Sequence, residues 1–271
     1  MSASDTSASI LERPPPPPGQ RIAYGPDPNQ FGELRLPAGP GPHPVIIFIH
    51  GGFWKAKYDL THAAHLCAAL TEAGFATWSL EYRRLGQQGG GYPGTLEDIR
   101  TGARHLTKIP NHRHRPETPF PGHATSVASP PCRLDPTPTV VAGHSAGGHL
   151  ALWLAAQDAI ELQAVIALAP VTDLRKAQAQ NLGSGAVKAF LGDDQEALKT
   201  CSPIDLLPIK VPQTLLHGTQ DEIVPVEQSE TFAVASANAR LIKLEATGHF
   251  ELIDPRSNAW PTVLSHLTDH L

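Results

Sequence analysis

Short apolar runs alternate with longer amphipathic stretches along most of this chain. The clearest apolar run, VIIFIH at residues 45–50, is rich in β-branched side chains and predicts a strand buried on both faces. A stretch with helical spacing follows at 61–73, where Leu66 and Leu70 lie one turn apart. Strands that alternate with helices in this way are typical of a mostly parallel sheet.

The same pattern predicts the rest of the fold. Strands are predicted at 21–24, 31–36, 76–82, 139–143, 164–168, 213–217 and 241–244, and helices at 96–108, 147–157 and 258–270. The strand at 31–36 comes before the alternating part and is expected to run antiparallel. We therefore predict an α/β domain over residues 21–271, with a mostly parallel eight-stranded sheet flanked by helices.

Three stretches depart from this rhythm. Residues 1–20 are small, polar and proline-rich, and Pro14–Pro18 favour a polyproline conformation, so we expect a disordered tail, with a ligand for proline-recognition domains as the alternative. Residues 110–138 are crowded with proline and histidine and predict an irregular surface insertion. Residues 171–208 lie between two predicted strands and are too long for a simple crossover helix, so we expect a small cap over the site.

Composition and charge exclude several classes of function. Lys and Arg number 21 against 26 Asp and Glu, a formal net charge of −5, and no basic run stands out, which argues against nucleic acid and anionic membranes as partners. The three cysteines are far apart and form no CxxC pair, so neither disulfides nor a zinc site is expected. No apolar stretch resembles a signal peptide or a membrane span, so a cytoplasmic location is expected.

The strongest chemical signal is GHSAG at 143–147, an instance of G-x-S-x-G. A predicted strand precedes it and a predicted helix follows, which is the context that exposes the serine of this motif on a sharp turn. Ser145 is therefore the candidate nucleophile. A serine hydroxyl is a weak nucleophile and needs a base within hydrogen-bond reach.

Candidate partners for Ser145 follow later strands. In hydrolases with this motif the order along the chain is serine, acid, histidine, and Asp221 and His249 satisfy it, each just past a predicted strand. Asp221 is expected to orient His249, which accepts the proton of Ser145. Three other acids are weaker candidates because they lie one strand too early, beside Asp221, or after the base, namely Asp173, Glu222 and Asp254.

A second signal is HGGFW at 50–54, directly after the VIIFIH strand. Backbone N–H groups in such a glycine-rich loop stabilise the negative oxygen of a tetrahedral intermediate, together with the N–H after the nucleophile. This assigns Gly52, Phe53 and Ala146 as oxyanion donors and leaves His50 to brace the loop. Trp54 and Phe250 flank catalytic positions and are candidates for an aromatic, substrate-binding wall.

Five segments together resemble a known group of enzymes. They are HGGFW, EYRRLG, GHSAGGHLALWLA, HGTQDEIVP and GHFELIDP, and the chain from about 21 to 271, apart from 110–138, is similar to the arylformamidase-like (kynurenine formamidase-like) α/β-hydrolases and the small bacterial esterases close to them. The resemblance implies the α/β-hydrolase fold, a triad at Ser145, Asp221 and His249, and hydrolysis of aryl formamides or small carboxylic esters without metal or organic cofactor. HGGxW occurs in both groups and does not separate ester from formamide.

Three functional hypotheses follow. The first is a serine hydrolase that cleaves small carboxylic esters, with a short acyl group and an aryl-type leaving group, through an acyl-enzyme. The second is an arylformamidase acting on N-formylkynurenine, and the third is a non-catalytic, binding member of the fold. The filled triad positions favour the first two, whose partner is a small ester or formamide, and the sequence leaves the oligomeric state open.

Overall fold

A computed structural model describes residues 7–109 and 134–271 of the protein. Within these residues one sheet holds eight strands in the order β1-β2-β4-β3-β5-β6-β7-β8. The strands are β1 Gln20–Ala23, β2 Phe31–Arg35, β3 His43–Ile49, β4 Ala76–Leu80, β5 Leu134–His144, β6 Ala164–Leu168, β7 Gln213–Gly218 and β8 Ala239–Leu244. β2 runs antiparallel to β1 and β4, and every other pairing is parallel, so the predicted mostly parallel sheet is confirmed.

Alternate residues of the central strand enter two separate cores. Val45, Ile47 and Ile49 of β3 join one apolar cluster, whereas Ile46 and Phe48 join the other. This follows from the two-residue period of a strand, which sends successive side chains to opposite faces of the sheet. Both faces are therefore covered, and this explains why the run VIIFIH shows no polar alternation.

Helices cover each of these two faces. In the described residues they are α1 Ala64–Glu72, α2 Gly94–His105, α3 Ala146–Ala156, α4 Leu174–Ala179, α5 Ala186–Leu191, α6 Gln195–Cys201, α7 Glu227–Ala235 and α8 Trp260–Thr268. α2 and α3 contribute to the first cluster, through residues such as Ile99 and Leu150, and α1 and α8 to the second, through Leu66 and Val263. Because most pairings in this sheet are parallel, the carboxyl ends of the parallel strands lie along one edge, where sites form in such sheets.

The strand before the nucleophile begins earlier than predicted. Leu134 and Asp135 of β5 pair with His43 and Pro44 of β3, and the register then shifts so that Thr139 pairs with Val45. At this irregularity β5 has three residues, 136–138, between the partners of two consecutive residues of β3, Pro44 and Val45. The predicted insertion 110–138 is therefore wrong for 134–138, and its remainder up to 133 lies outside the described residues.

The N-terminal stretch is ordered from Ser7 onward, contrary to the predicted disordered tail over 1–20. A 3₁₀ helix spans Ser7–Glu12, and its Ile10 is only 3% exposed because it belongs to the same apolar cluster as Leu252 and Ile253. Arg13 forms an ion pair with Asp254. One buried side chain and one ion pair thus hold a segment whose composition predicts disorder, and residues 1–6 lie outside the described part.

Outside the segment 171–208, one of the described helices was not predicted from the sequence. α7, EQSETFAVA, buries Phe232 together with two polar side chains, Gln228 and Ser229. Gln228 faces inward because its side-chain oxygen accepts the backbone N–H groups of Thr172 and Asp173. A helix whose buried face is partly polar gives no apolar period, so the pattern could not reveal it.

The described residues also bear on thiols and membrane helices. Cys67 and Cys201 are free and buried, and burial raises the pKa of each thiol to about 12, whereas Cys132 lies outside the described residues. Among the helices of 7–109 and 134–271, none has the length and apolarity needed to cross a bilayer.

Candidate active site

Ser145 occupies the sharp turn between β5 and α3. Its backbone has φ 57° and ψ −120°, a left-handed conformation that side chains with a Cβ rarely adopt. A Cβ on Gly143 would lie 2.2 Å from the carbonyl oxygen of Gly147, and one on Gly147 would lie 2.0 Å from that of Ile49. The two glycines of the motif are therefore required by close backbone approach.

Asp221 and His249 meet at the carboxyl end of the sheet, beyond β7 and β8. His249 Nδ1 lies 2.6 Å from Oδ2 of Asp221. The other carboxylate oxygen, Oδ1, accepts the backbone N–H groups of Ile223 and Val224, each at 2.8 Å. The carboxylate is thus fixed by its own turn, and the imidazole is fixed by the carboxylate.

The pKa of Asp221 lies well below its ordinary value. Burial alone would raise this pKa, but hydrogen bonds from His217 and His249, the charge of His249 and the N–H of Val224 together lower it. His217 is itself buried, with Nδ1 2.7 Å from Ser229 Oγ. Asp221 is therefore ionised at any working pH and acts as a hydrogen-bond acceptor for His249.

The ring of His144 lies between the serine turn and the histidine. Nε2 of His144 is 3.0 Å from the carbonyl oxygen of His249, and the two ring centroids are 4.4 Å apart. Within the described residues no hydrogen bond joins the Ser145 hydroxyl to His249. Such bonds are often long in unliganded enzymes and shorten when substrate binds.

A second buried histidine, His62, is hydrogen-bonded to His144. His62 Nε2 lies 2.8 Å from His144 Nδ1. Burial lowers the pKa of His62 to about 3, with the charges of His50 and His249 adding to the effect, and burial likewise holds the pKa of His144 well below its ordinary value. Both rings are therefore neutral. Because a carbonyl only accepts, His144 carries its proton on Nε2 and receives the Nε2 proton of His62 on Nδ1.

The loop after β3 runs beside the nucleophile. A Cβ on Gly51 would lie 3.0 Å from the Cβ of Ser145. The next three residues all have positive φ, 111° for Gly52, 50° for Phe53 and 58° for Trp54. The loop thus places Gly51, the residue before the predicted donors Gly52 and Phe53, beside the predicted nucleophile, and the third predicted donor, Ala146, begins α3.

The predicted aromatic wall is placed only in part at the site. Phe250 is half-buried, with its ring 5.1 Å from that of His249, and Phe53 is half-buried on the loop. Trp54, in contrast, is fully buried, stacks on Phe190 at 4.7 Å and meets His149 edge-on. Because the indole is packed against these rings, a direct contact between Trp54 and substrate would require the indole to leave the core.

The segment 171–208 packs against this loop. It forms three short helices, α4, α5 and α6, and a 3₁₀ turn at Pro203–Leu206. Lys55 Nζ donates to the carbonyl oxygen of Gly183 at 2.7 Å, and Phe190 stacks on Trp54 as described. The stretch predicted as a cap therefore supports the loop beside Ser145.

Each competing acid has another task or position. Asp173 caps α4, accepting the N–H of Lys176 at 3.0 Å, and Asp254 pairs with Arg13. Glu222 is exposed, although it adjoins Asp221. Among the acids considered, only Asp221 contacts the imidazole of His249 in the described residues.

A match to one protein-family model identifies the family of this chain. Residues 34–118 and 129–235 match the model of one family, BD-FAE, and these residues make up more than half of the chain. The chain belongs to the BD-FAE family. The BD-FAE match contains Ser145, Asp221 and the loop 50–54, and it omits 119–128, part of the predicted insertion.

Two curated relatives of this BD-FAE member are similar over most of its length. Esterase LipC of Mycobacterium tuberculosis (strain ATCC 25618 / H37Rv) is 26% identical over 264 residues, which are 87% of this chain and 60% of LipC. The probable isoprenylcysteine alpha-carbonyl methylesterase ICME of Oryza sativa subsp. japonica is 25% identical over 266 residues, 85% of this chain and 58% of ICME. The chain thus spans well under two thirds of the length of these relatives.

A solved structure confirms the fold of this BD-FAE member. Esterase B of Lactobacillus rhamnosis, inhibited by a C4-C4 SN3 tributyrin phosphonate, superposes with a TM-score of 0.77 at 19% identity, covering 97% of this chain and 88% of the esterase. The predicted α/β-hydrolase fold is therefore confirmed. LipC, ICME and esterase B all carry esterase names, so the chain is similar to esterases.

Proposed function

We propose that this BD-FAE member is a serine carboxylesterase for small esters with a short acyl group and an aryl-type leaving group. The observation that carries the proposal is the 2.6 Å contact between Asp221 and His249 beside the left-handed turn of Ser145. A serine held in a strained, glycine-flanked turn next to an oriented imidazole has the arrangement that nucleophilic catalysis requires.

The proposed reaction uses these groups in two steps. Asp221 accepts a hydrogen bond from the Nδ1–H of His249, which leaves Nε2 free to take the proton of Ser145 as Oγ attacks the ester carbonyl. The N–H groups of Gly52, Phe53 and Ala146 hold the negative oxygen. The imidazolium then gives its proton to the departing alkoxide or phenoxide, which leaves an acyl-enzyme. Water, deprotonated by His249, hydrolyses that ester and restores Ser145.

Two aromatic side chains support the choice of leaving group and acyl length. Phe250 lies beside His249, and Phe53 lies on the loop of the proposed oxyanion donors. A flat leaving group can stack on such rings, and bulky side chains near the acyl position restrict long chains. The butyryl-type inhibitor named for esterase B and the esterase names of LipC and ICME are consistent with a short-chain ester.

Kinetics on matched esters tests the substrate class. We expect kcat/KM to be highest for acetyl and butyryl p-nitrophenyl esters and to fall steeply for octanoyl. An octanoyl optimum would contradict the short-acyl part. N-formylkynurenine belongs in the same assay: if it is cleaved faster than the esters, arylformamidase activity replaces the ester proposal.

Covalent labelling tests the nucleophile. A fluorophosphonate should label the wild type once, at Ser145, and Ser145→Ala should abolish labelling and turnover while the protein stays folded. Ser265→Ala, an exposed serine on α8, serves as the matched control and should label normally. Labelling that survives Ser145→Ala, or absence of both labelling and turnover in the wild type, would favour the non-catalytic alternative or another nucleophile.

A further inference from the structure

A buried carboxylate lies directly behind the loop of the proposed oxyanion donors. Glu81 follows β4 and is 2% exposed. Its Oε1 accepts the backbone N–H of Tyr82 at 3.0 Å, and its Oε2 accepts that of Leu60 at 3.1 Å. Arg84 Nε lies 3.2 Å from Oε1. Every group considered so far presents a proton or a positive charge to Glu81.

The fourth neighbour of this carboxylate is His50, the first residue of HGGFW. His50 is fully buried, and its Nε2 lies 3.1 Å from Glu81 Oε1. Its other nitrogen, Nδ1, lies 2.8 Å from the carbonyl oxygen of Gly51. A carbonyl oxygen only accepts, so Nδ1 carries a proton.

The hydrogen-bond partners also fix the proton on Nε2. If the imidazole were neutral, its bare Nε2 would need a proton from Glu81. A proton on Glu81 would lie next to the N–H of Tyr82, the N–H of Leu60 and the guanidinium of Arg84. All three are donors and require the carboxylate oxygens as acceptors. The consistent assignment is an ionised Glu81 and a doubly protonated His50, joined by a charge-assisted hydrogen bond.

The carbonyl held by His50 belongs to the peptide whose N–H is that of Gly52. In a planar trans peptide the C=O and the N–H point in opposite directions. Because His50 binds the Gly51 oxygen on one side of this peptide, the Gly52 N–H points to the opposite side. The preceding peptide is fixed too, because Tyr82 Oη donates to the carbonyl oxygen of His50 at 2.9 Å and the two rings stack at 4.4 Å.

We propose that the buried His50–Glu81 ion pair is the positioning device of the oxyanion loop: it aims the Gly52 N–H and places a positive charge behind it. The inference rests on the proposed function for its catalytic consequence. A charged donor on the Gly51 oxygen polarises that peptide and strengthens its N–H as a donor. His50, Glu81 and Tyr82 are positioning residues, since they act on substrate only through the loop.

The charges around the pair are balanced. Arg84 is the second cation beside Glu81. Asp59 is the second carboxylate, and its pKa is lowered by hydrogen bonds from Thr61 against the opposing effect of burial, with a smaller contribution from the charge of His50. His62 stays neutral, as described above. Glu81 thus lies beside two cations, His50 and Arg84, and the exposed Asp59 adds a second negative charge that interacts with both.

NMR of ¹⁵N-histidine-labelled protein tests the charge state directly. At pH 8 the wild type should show both ring nitrogens of His50 protonated, with the signals assigned by their loss in His50→Gln. In Glu81→Gln, without a counter-charge, the ring should have one bare nitrogen. A neutral His50 ring in the wild type would overturn the proposal. This measurement does not depend on turnover.

Kinetics tests the positioning role. Removing a whole oxyanion donor lowers kcat by about 10²- to 10³-fold, and Glu81→Gln only weakens one, so we expect a loss of about tenfold in kcat with little change in KM. Glu33→Gln is the matched control, because Glu33 is an equally buried glutamate paired with Arg35 on β2. It should lose stability without this loss in kcat.

Three outcomes would contradict the positioning role. The first is a wild-type kcat in Glu81→Gln although His50 is neutral in that variant. The second is a loss of kcat in Glu33→Gln equal to that in Glu81→Gln. The third is an effect of Glu81→Gln on KM alone. If Glu81→Gln does not fold, Tyr82→Phe removes only the bond to the His50 oxygen and should lower kcat in the same way; an unchanged kcat there counts against the role. A wild type without ester turnover would remove the proposed function and the catalytic part of this inference, while NMR still decides the charge state.

Discussion

The carbonyl oxygen of His249 accepts a hydrogen bond from Nε2 of His144, the residue directly before Ser145. The main chain that carries the proposed base is therefore tied to the strand end that carries the proposed nucleophile. Asp221 fixes the ring of His249, and His144 fixes its backbone. The distance between base and nucleophile is thus controlled by a contact that the sequence motif does not reveal.

Replacement of His144 by phenylalanine tests this control. His144→Phe keeps an aromatic ring but removes the donor to His249 and the acceptor of His62, and since small misplacements of catalytic groups are costly, we expect kcat to fall about tenfold. The matched control is His149→Phe. His149 is equally buried and also lies near a carbonyl oxygen, that of Cys201 at 2.9 Å. Both variants should lose about 1–3 kcal/mol of stability, and equal losses of kcat would contradict a specific role for His144.

Replacement of the acid distinguishes Asp221 from its competitors. Asp221→Asn disturbs the tautomer of His249 and should lower kcat by roughly 10³- to 10⁴-fold with the fold retained. Asp173→Asn and Asp254→Asn should keep most of kcat, because these residues cap α4 and pair with Arg13. Steady-state kinetics on one short ester decides the matter. A larger loss in Asp173→Asn would move the acid to the end of β6.

The buried histidines predict a steep dependence of stability on pH. Burial lowers the pKa of His62 to about 3 and that of His149 to about 4, and it also lowers the pKa of His144. Below the unfolded value of about 6.5 the unfolded state binds these protons and the folded state does not, so stability falls as pH falls. Each histidine contributes a slope of about 1.4 kcal/mol per pH unit between about pH 6.5 and its folded pKa.

Denaturant unfolding at several pH values between 4 and 7 measures this slope. Removing one of the three groups with His149→Phe should reduce it by about a third. The carboxylate of Asp221 acts in a different window: its lowered pKa keeps its contribution intact above about pH 4, and that contribution is lost only as pH falls further. A stability that is flat from pH 7 to 4.5 would show that the histidines do not stay neutral in the folded state.

The N-terminal segment should contribute measurably to stability. Ile10→Ala removes a side chain that is 3% exposed and should cost about 2–4 kcal/mol. Leu11→Ala, its neighbour at 37% exposure, should cost less than about 1 kcal/mol. Thermal and denaturant unfolding compare the two. Equal, small effects would mean that Ser7–Glu12 does not pack on the turn after His249 in solution.

The parts of the fold that the sequence predicted are those with a strong local signature. The parallel strands were readable because short runs such as VIIFI in β3 and AVIAL in β6 are wholly apolar, and Ser145, Asp221 and His249 were readable from a motif and a chain order. Each of these signals lies within one segment. It needs no knowledge of what the segment contacts.

The missed parts depend on contacts between distant segments. Ile10 is one apolar residue in a proline-rich stretch, and only its place beside Leu252 makes it part of the core. His62 has no distinctive local sequence pattern, and only the fold shows its hydrogen bond to His144, 82 positions away. Trp54 follows two glycines and Phe53 in the loop, and its burial depends on the stacking with Phe190, which no local sequence pattern specifies.

The strained backbone conformation of Ser145 lowers the stability of the fold at the residue that carries the proposed nucleophile. At φ 57° and ψ −120° a residue with a side chain adds about 1–3 kcal/mol of backbone strain, which glycine largely avoids. Ser145→Gly should therefore raise the unfolding temperature while ending turnover. A designer who wanted this domain as an inert carrier would begin at that position, and a designer who wanted a more heat-resistant enzyme would have to leave it alone and strengthen the sheet elsewhere.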